Sequence, residues 1–430
     1  MMIQSNKFVL KISKRLFSKF IISFLISLIL LTISCDNNTP GGIIATWIQM
    51  GSSGSIIARA ITENSECPFI TLDNTIQQMQ VRAEPSEPDF PVLVCEILIP
   101  PNTNSAFLGD EKLHLPKTET KRIAIIGDTG CRISSSDAQA CNNPEAWPFE
   151  MIAKNVTSWE PELVIHVGDY IYREAPCPLG NSGCAGSPFG DNWETWEADF
   201  FSPASALLNS APWVFTRGNH EMCTRAGEGW FRFLDYQTPL SNCVEFTEPF
   251  AIDIGIVRLL MLDSASADDF SAPPELVEIY ADQIAKLSEL ANDNSWFVTH
   301  RPIWGVGEFD DEIFTTNPTL QSSTGNSLKA GINLVLSGHL HLFEMLRFNE
   351  ERSPQFIVGN GGTKLDSTIT VPLDGLEITG AIIDQGLIFD NFGFVTMENV
   401  GNNWKVSVRD VKGKEIIPCE IQGNVASCDQ

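Results

Sequence analysis

Residues 163–172 read LVIHVGDYIY, in which an apolar, β-branched run ends at Gly168 and Asp169. A short run of this kind, bounded by turn residues, is typical of a strand buried on both faces of an α/β sheet. Four more runs in the chain share the pattern, at residues 123–126, 213–216, 296–298 and 332–336. The sequence therefore predicts five buried strands.

A short polar motif follows each predicted strand. In chain order the motifs are Gly127-Asp128-Thr129-Gly130, Gly168-Asp169-Tyr170-Ile171-Tyr172, Gly218-Asn219-His220-Glu221, Thr299-His300-Arg301-Pro302 and Gly338-His339-Leu340-His341. Ligands of open α/β sheets bind outside the carboxyl ends of the strands, so we expect the five motifs to converge on one place. The glycine that opens four of them permits a sharp turn and a close approach of the backbone to a ligand.

The converging side chains form a mixed set of oxygen and imidazole donors. They are Asp128, Asp169, Tyr172, Asn219, His300, His339 and His341. Such a set suits transition metals rather than calcium. Seven ligands are too many for one ion, whereas two ions about 3.5 to 4 Å apart that share a carboxylate would use them all. Pairs of this kind clamp the attacking and leaving oxygens of a phosphoryl displacement.

The order and spacing of the motifs resemble those of the calcineurin-like metallophosphoesterases, and most closely those of the purple acid phosphatases, over residues 121–362. Two positions point to the purple subgroup. The broader family usually has a metal-binding histidine two residues after the first aspartate, where this chain has Gly130. Tyr172 stands three residues after Asp169, where purple acid phosphatases place the phenolate that binds ferric iron.

The resemblance implies how the ligands are divided between two metal ions. The first metal would be bound by Asp128, Tyr172 and His341, the second by Asn219, His300 and His339, and Asp169 would bridge both. The implied cofactors are Fe(III) and a divalent Fe, Zn or Mn ion. His220 matches the family's catalytic acid, which protonates the leaving oxygen. A metal-bound hydroxide would be the nucleophile.

The resemblance also implies an α/β fold, a four-layer α/β/β/α sandwich of two mixed sheets. We expect a lipoprotein signal peptide at residues 1–34, a tether at 35–55, a small β-rich leader at 56–118 and the metallophosphoesterase domain at 119–430. The leader is either a separate minidomain or a set of edge strands. Within the main domain, residues 273–290 have apolar residues at helical spacing.

The N-terminus has the composition of an export signal. Basic residues precede an apolar run at 20–31 that is short for a membrane-spanning helix. The sequence Leu31-Thr32-Ile33-Ser34-Cys35 resembles a relaxed bacterial lipoprotein processing site. We therefore expect an exported protein that is lipidated at Cys35 and anchored to a membrane, facing the periplasm or the cell exterior. An ordinary cleaved signal or an uncleaved anchor is the alternative.

Ten cysteines remain when Cys35 is set aside, an even number in a chain addressed to an oxidising compartment. We expect five disulfides between sequence neighbours: Cys67 with Cys95, Cys131 with Cys141, Cys177 with Cys184, Cys223 with Cys243, and Cys419 with Cys428. A zinc-thiolate site is the weaker interpretation, because no pair has the two-residue gap of a zinc knuckle.

The formal net charge of −26 at pH 7 argues against nucleic acid as a binding partner. The expected substrates are phosphorylated small molecules or peptides, and the expected reaction is hydrolysis of phosphate monoesters. One alternative is a Zn or Mn phosphodiesterase or pyrophosphatase of the same fold, with Tyr172 merely nearby. A non-catalytic surface lipoprotein is the other, and intact ligands at all five strand ends count against it.

Four residues near the motifs have two interpretations each. Arg173, Arg217 and Arg301 adjoin ligands, so each could bind substrate phosphate or form a structural ion pair. His166 lies within a predicted strand, where a hydrogen-bonded structural histidine is the favoured interpretation.

Overall fold

The protein is described by a computed structural model covering residues 42–237, 242–309, 312–325, 328–349, 352–367, 369–401 and 403–429. The five runs predicted as buried strands all form strands there. The strands of the described residues are β1 Ile43–Met50, β2 Ile56–Thr62, β3 Phe69–Leu72, β4 Thr75–Gln78, β5 Gln80–Ala83, β6 Leu93–Ile99, β7 Ala106–Leu108, β8 Glu111–Leu113, β9 Arg122–Ile126, β10 Leu163–His166, β11 Trp213–Phe215, β12 Phe250–Asp253, β13 Arg258–Met261, β14 Ser295–Val298, β15 Gly305–Phe309, β16 Glu312–Thr316, β17 Ile332–Ser337, β18 Phe343–Phe348, β19 Gln355–Val358, β20 Glu377–Ile378, β21 Ala381–Phe389, β22 Gly393–Asn399, β23 Asn403–Asp410, β24 Glu415–Gln422 and β25 Val425–Cys428.

Short helices connect the strands. They are α1 Phe149–Ser158, α2 Trp193–Trp196, α3 Ser202–Leu208, α4 Gly227–Phe233, α5 Pro274–Leu290 and α6 Pro318–Thr324, with a π-helical segment Glu197–Phe201 and 3-10 turns Ser52–Gly54 and Asn219–Glu221. Helix α5 matches the apolar spacing seen in the sequence. None of the described helices is both long and apolar enough to cross a membrane.

Two mixed sheets form the body of the protein. The larger has eleven strands in the order β25-β24-β23-β22-β9-β10-β11-β1-β2-β6-β5, and β9, β10 and β11 run parallel. The smaller has eight strands in the order β12-β13-β14-β17-β19-β18-β21-β20, of which β13, β14, β17 and β19 run parallel. A four-stranded sheet, β4-β3-β7-β8, and the hairpin β15-β16 complete the strands.

The sheets pack face to face between two layers of helices. Ile123 and Ile125 of β9 lie in the core between the sheets with Val298 of β14, while Ala124 and Ile126 face the helical side. This alternation follows from the two-residue period of a strand. Helices α1 to α4 cover the larger sheet, and α5 and α6 cover the smaller one. The predicted four-layer sandwich is therefore confirmed.

The N-terminal strands differ from the predicted organisation. Residues 43–50, assigned to a tether, form β1, which pairs with β2 and runs parallel to β11 of the larger sheet. Trp47 of β1 is fully buried in the core. The tether prediction was wrong for residues 43–50. Asn, Gly and Ser residues on either side of this apolar segment gave residues 36–54 the composition of a linker.

Two buried arginines join these strands to helix α4. Arg59 and Arg82 both donate to the carbonyl oxygen of Asp235, at 2.5 and 2.8 Å, and Arg82 also donates to that of Phe231 at 2.7 Å. Glu96 of β6 forms ion pairs with both guanidinium groups. These contacts favour edge strands over a separate minidomain for β1, β2, β5 and β6.

The structure pairs ten cysteines in the predicted order. The disulfides are Cys67 with Cys95, Cys131 with Cys141, Cys177 with Cys184, Cys223 with Cys243, and Cys419 with Cys428. Five disulfides are typical of a protein outside the reducing cytosol. The signal peptide and Cys35 lie outside the described residues.

A carboxyl group is buried in the apolar layer outside the smaller sheet. Glu344 of β18 is fully buried, and its oxygens lie 3.2 and 3.3 Å from the amide nitrogen of Val306. Burial raises the pKa of Glu344 to about 8. The folded protein therefore keeps a proton at pH values where the unfolded chain has released it.

This proton makes stability depend on pH. The contribution of neutral Glu344 is full below the unfolded pKa of about 4.3, and it is lost as pH rises through about 8. At about 1.4 kcal/mol per pKa unit, a few kcal/mol of the free energy of unfolding disappear over that range. Because Glu344→Gln stays neutral, urea unfolding at pH 5 and pH 8.5 should show a smaller difference in the variant. Equal differences in both proteins would contradict the assignment.

Candidate metal centre

The five polar motifs meet at one edge of the sandwich. Three follow β9, β10 and β11 of the larger sheet, and two follow β14 and β17 of the smaller sheet. Parallel strands present their carboxyl ends on the same side, so the convergence expected from the sequence is realised. All seven predicted ligand side chains lie in this cluster.

Tyr172 is the centre of one half of the cluster. Its phenol oxygen lies 2.9 Å from Asp128 Oδ1, 2.8 Å from Asp169 Oδ2 and 3.0 Å from His341 Nε2. All four side chains are buried. A cation among these atoms would have two carboxylates, a phenol and an imidazole as ligands.

Asp169 also belongs to the other half. Its Oδ2 lies 3.2 Å from His300 Nε2, which in turn lies 3.0 Å from Asn219 Oδ1. Ligand atoms of Asp169, His300 and His339 all lie within 4.8 Å of one another. One carboxylate thus faces both groups of donors, as a bridging ligand must.

The hydrogen bonds of two histidines leave one ring nitrogen of each ready for a metal. Nδ1 of His300 lies 2.9 Å from the carbonyl oxygen of Val167, and Nδ1 of His341 lies 2.9 Å from that of Lys364. A carbonyl accepts only from an N–H, so Nδ1 of each ring carries a proton, and Nε2, which faces the cluster, is the nitrogen that can bind a metal. This arrangement fixes the tautomer and the orientation of both rings.

The backbone at three of the predicted ligands adopts a rare conformation. Asp128, Asp169 and His339 have φ angles of 54°, 59° and 76°, in the left-handed region that non-glycine residues seldom occupy. Each costs about 1–3 kcal/mol, and such residues cluster at functional sites. The turns that end the strands therefore place these side chains at an energetic cost.

Two glycines make room for this geometry. A Cβ on Gly218 would lie 2.0 Å from Asp169 Oδ1, so the bridging carboxylate packs against a bare backbone. A Cβ on Gly130 would lie 2.4 Å from the carbonyl oxygen of Tyr170 and 2.9 Å from the amide nitrogen of Tyr172. The histidine that the broader family carries at this position would therefore collide with the segment that presents Tyr172.

The buried acidic groups favour a bound cation. Burial and the charge of Asp169 raise the pKa of Asp128 well above its usual range, although His300 acts in the opposite direction. Burial would raise the pKa of Asp169 as well, but His300 and His220 hold it well below its usual range. Burial and the two carboxylates raise the pKa of the Tyr172 phenol. Positive charge supplied by metal ions would relieve this repulsion.

His220 lies beside the ligands in a different environment. Its amide donates to Asp169 Oδ1 at 2.8 Å, and its ring centroid lies 3.8 Å from that of the Tyr172 ring, with the ring planes tilted by 37°. Nδ1 lies 3.2 Å from Glu174 Oε1. Arg225 contacts both the His220 ring and Glu174. Sequence reasoning missed Glu174 and Arg225, although Glu174 stands only two residues after Tyr172.

Glu221 was also missed. Its carboxylate accepts the backbone N–H groups of Asp169, Tyr170, Ile171 and Gly218 at 2.8 to 3.2 Å. The two carboxylate oxygens together accept four backbone N–H groups. Glu221 therefore fixes the turn that carries Asp169 and Tyr172. Its place directly after the Asn-His pair was the available signal.

The three arginines have different environments. Arg173 forms a buried ion pair with Asp199, and Arg217 forms one with Asp263. These two are structural. Arg301 reaches the cluster, where its Nη1 lies 3.2 Å from His339 Nε2. His166 has the structural role that the sequence favoured, because its ring nitrogens bond to the Thr129 hydroxyl and the Gly168 amide.

Comparison with known proteins places this site in context. A model of the calcineurin-like phosphoesterase family matches residues 121–343. The solved purple acid phosphatase PPD1 from yellow lupin (Lupinus luteus) seeds has a similar fold, with a TM-score of 0.58 and 15% identity over 89% of this chain and 75% of that chain. No curated protein matches the sequence.

Two further solved structures are more distant. GAP50, the anchor in the inner membrane complex of Plasmodium, has a TM-score of 0.43 and 13% identity over 71% of this chain and 90% of that chain. A predicted phosphoesterase from Streptococcus pneumoniae has a TM-score of 0.27 and 9% identity over 72% of this chain and 97% of that chain. The family match spans more than half of the sequence and includes all seven clustered donors, so this chain belongs to the calcineurin-like phosphoesterases, which are metal-dependent phosphoric ester hydrolases.

Proposed function

We propose that this phosphoesterase hydrolyses phosphate monoesters at a two-metal centre of the purple acid phosphatase type. The observation that carries the proposal is the position of Tyr172, whose phenol oxygen lies within 3.0 Å of Asp128, Asp169 and His341. A phenol there suits a hard, highly charged ion. The absence of a side chain at Gly130 supports the same assignment.

The donor set supports one ion in each half of the cluster. Asp128, Tyr172 and His341 would bind Fe(III), Asn219, His300 and His339 would bind a divalent Fe, Zn or Mn ion, and Asp169 would bridge them. When bound, such a pair supplies charge that lowers the pKa of water and stabilises the phosphoryl oxygens in the transition state.

His220 would protonate the leaving oxygen. His220 is 8% exposed and lies next to the cluster, with Nε2 3.9 Å from Asp169 Oδ2, but it does not belong to the group of Asp169, His300 and His339 whose ligand atoms lie within 4.8 Å of one another. Glu174 orients the ring at Nδ1, and Arg225 Nη2 lies 2.8 Å from Nε2, from which the proton would pass to the leaving oxygen. A histidine held in this way is a suitable general acid.

Two guanidinium groups are positioned to bind the phosphoryl group. Arg225 lies on the His220 side of the cluster and Arg301 on the His339 side. Each is paired with a carboxylate, Glu174 and Asp269 respectively. Arginine binds phosphate oxygens with two parallel hydrogen bonds, so the pair would orient the substrate for attack.

Export and anchoring complete the proposal. The five disulfides support a location in an oxidising compartment. The sequence around Cys35 supports a lipid anchor that holds the enzyme at the membrane surface. Phosphorylated small molecules or peptides outside the cytoplasm would then be its substrates.

Replacing Tyr172 with phenylalanine is expected to remove a visible absorption band. A phenolate bound to Fe(III) absorbs visible light, whereas Zn or Mn with oxygen and nitrogen ligands gives no such band. We expect the purified protein to contain iron, to be coloured, and to hydrolyse p-nitrophenyl phosphate faster than bis(p-nitrophenyl) phosphate. Metal analysis, an absorption spectrum and the two rates measure this.

Tyr170→Phe is the matched control. Tyr170 is buried two residues away, and its hydroxyl donates to the carbonyl oxygen of Thr216 rather than to the cluster. Its loss should leave the band in place. A colourless wild-type protein that contains Zn or Mn and prefers the diester would overturn the role of Tyr172 and the substrate class.

A further inference from the structure

A carboxylate outside the five motifs touches the metal centre. Asp269 lies in the loop between β13 and α5, and its Oδ2 lies 2.9 Å from His339 Nε2. The same carboxylate forms an ion pair with Arg301. Asp269 thus contacts both a predicted metal ligand and a predicted phosphate-binding residue.

The contact fixes which ring nitrogen of His339 carries the proton. A carboxylate accepts only from an N–H, and Asp269 Oδ2 lies closer to His339 Nε2 than Arg301 Nη1 does, at 2.9 against 3.2 Å, so Nε2 of His339 donates to Asp269. The lone pair of the ring is then on Nδ1. His300 and His341 show the same arrangement, with one nitrogen bonded to a carbonyl oxygen and the other available.

Asp269 is itself held in place from the opposite side. Its Oδ1 accepts the hydroxyl of Thr316 at 3.1 Å and the side-chain amide of Asn317 at 2.8 Å. Four donors therefore converge on one carboxylate, and its side chain is only 13% exposed. A carboxylate fixed in this way holds its partners in one geometry.

The charge of Asp269 also matters. A metal ion bound to His339 would lie close to the guanidinium of Arg301, and the two positive charges would repel each other. The carboxylate lies between them and offsets that repulsion. Without Asp269, the repulsion would weaken metal binding or displace the Arg301 side chain from the site.

We infer that Asp269 is a positioning residue of the metal centre, which orients His339 toward the second metal ion and holds Arg301 toward the substrate phosphate. The inference rests on the proposed function for the role of Arg301. The role toward His339 is independent of the substrate. Carboxylates that accept the second N–H of a metal-binding histidine contribute about 10- to 100-fold in metal affinity.

Metal titration of Asp269→Asn tests the inference. We expect the metal-free variant to bind Zn²⁺ or Mn²⁺ about 10- to 100-fold more weakly at one of two sites, measured by calorimetry. We also expect KM for p-nitrophenyl phosphate to rise, because Arg301 loses its partner. The affinity of the other site should stay within about threefold of wild type, because its ligands do not touch Asp269.

Asp268→Asn is the matched control. Asp268 is the preceding residue, and its carboxylate accepts the amides of Phe270 and Ser271, so it supports the same loop without touching the cluster. The Asp268→Asn variant should bind both metals with the affinity of the wild-type protein. Wild-type affinity in Asp269→Asn, or an equal loss in both variants, would overturn the inference.

Thr316→Val is a second variant should Asp269→Asn fold poorly. It removes one donor to Asp269 Oδ1 and keeps the side-chain shape. We expect a smaller loss of affinity at the same site, and no loss would count against the inference. Metal affinity is measured without substrate, so a wild-type protein that binds two metals yet hydrolyses no monoester would refute the proposed function and leave the role of Asp269 toward His339 standing.

Discussion

Asp169→Asn is expected to lower kcat/KM at least about a thousandfold and to leave the protein with fewer than two metal ions. Among the described residues, Asp169 is the carboxylate that faces both groups of donors, with Oδ2 2.8 Å from Tyr172 Oη and 3.2 Å from His300 Nε2. An amide has one neutral acceptor oxygen and cannot bridge two cations. Two metals contribute several kcal/mol of transition-state stabilisation, and about 4 kcal/mol corresponds to the stated factor.

The measurement combines metal analysis with turnover of a phosphate monoester. Asparagine can still accept the amide of His220 through Oδ1, so circular dichroism and thermal unfolding of the metal-free variant should resemble wild type. Asp110→Asn, in an exposed turn, is the control for loss of a carboxylate elsewhere. A variant that retains two metals and a tenth of the activity would refute the bridging assignment.

The strands and the seven clustered donor side chains could be predicted because each has a local signal. The runs before Asp128 and Asp169 are apolar on both faces, as strands buried between a second sheet and helices must be. The glycine that opens a motif marks the turn, and the contact of Gly218 with Asp169 gives the physical reason. The sequence alone therefore predicted which seven side chains cluster, because the short segments that end the strands also carry the donor side chains.

Two residues that contact the predicted site residues, Asp269 and Glu174, had no comparable signal. Asp269 and Glu174 are two among 54 acidic residues, and only the folded chain brings them to His339 and His220. Their partners are 70 and 46 residues away in sequence. Strand β1 was missed for a related reason, because its pairing with β11 joins residues more than 160 positions apart.

His220→Asn is expected to lower kcat about 10²- to 10⁴-fold while both metals stay bound. The ring bonds to Glu174 and packs against the Tyr172 ring, so its removal takes away a proton donor and leaves the predicted ligand set intact. Metal content separates this outcome from that of Asp169→Asn. His114→Asn, at an exposed position, is the matched control.

The size of the loss should depend on the leaving group. p-Nitrophenolate leaves without a proton, whereas the alkoxide of an alkyl phosphate needs one, so loss of an acid should slow the alkyl substrate far more. We expect kcat to fall at least about tenfold further for glycerol phosphate than for p-nitrophenyl phosphate, a difference of about 1.4 kcal/mol in activation free energy. Equal losses on both substrates would mean that His220 acts on the phosphoryl group rather than on the leaving oxygen. Another group would then have to protonate the leaving oxygen. The search for it would begin near His339, whose side chain is 17% exposed to solvent.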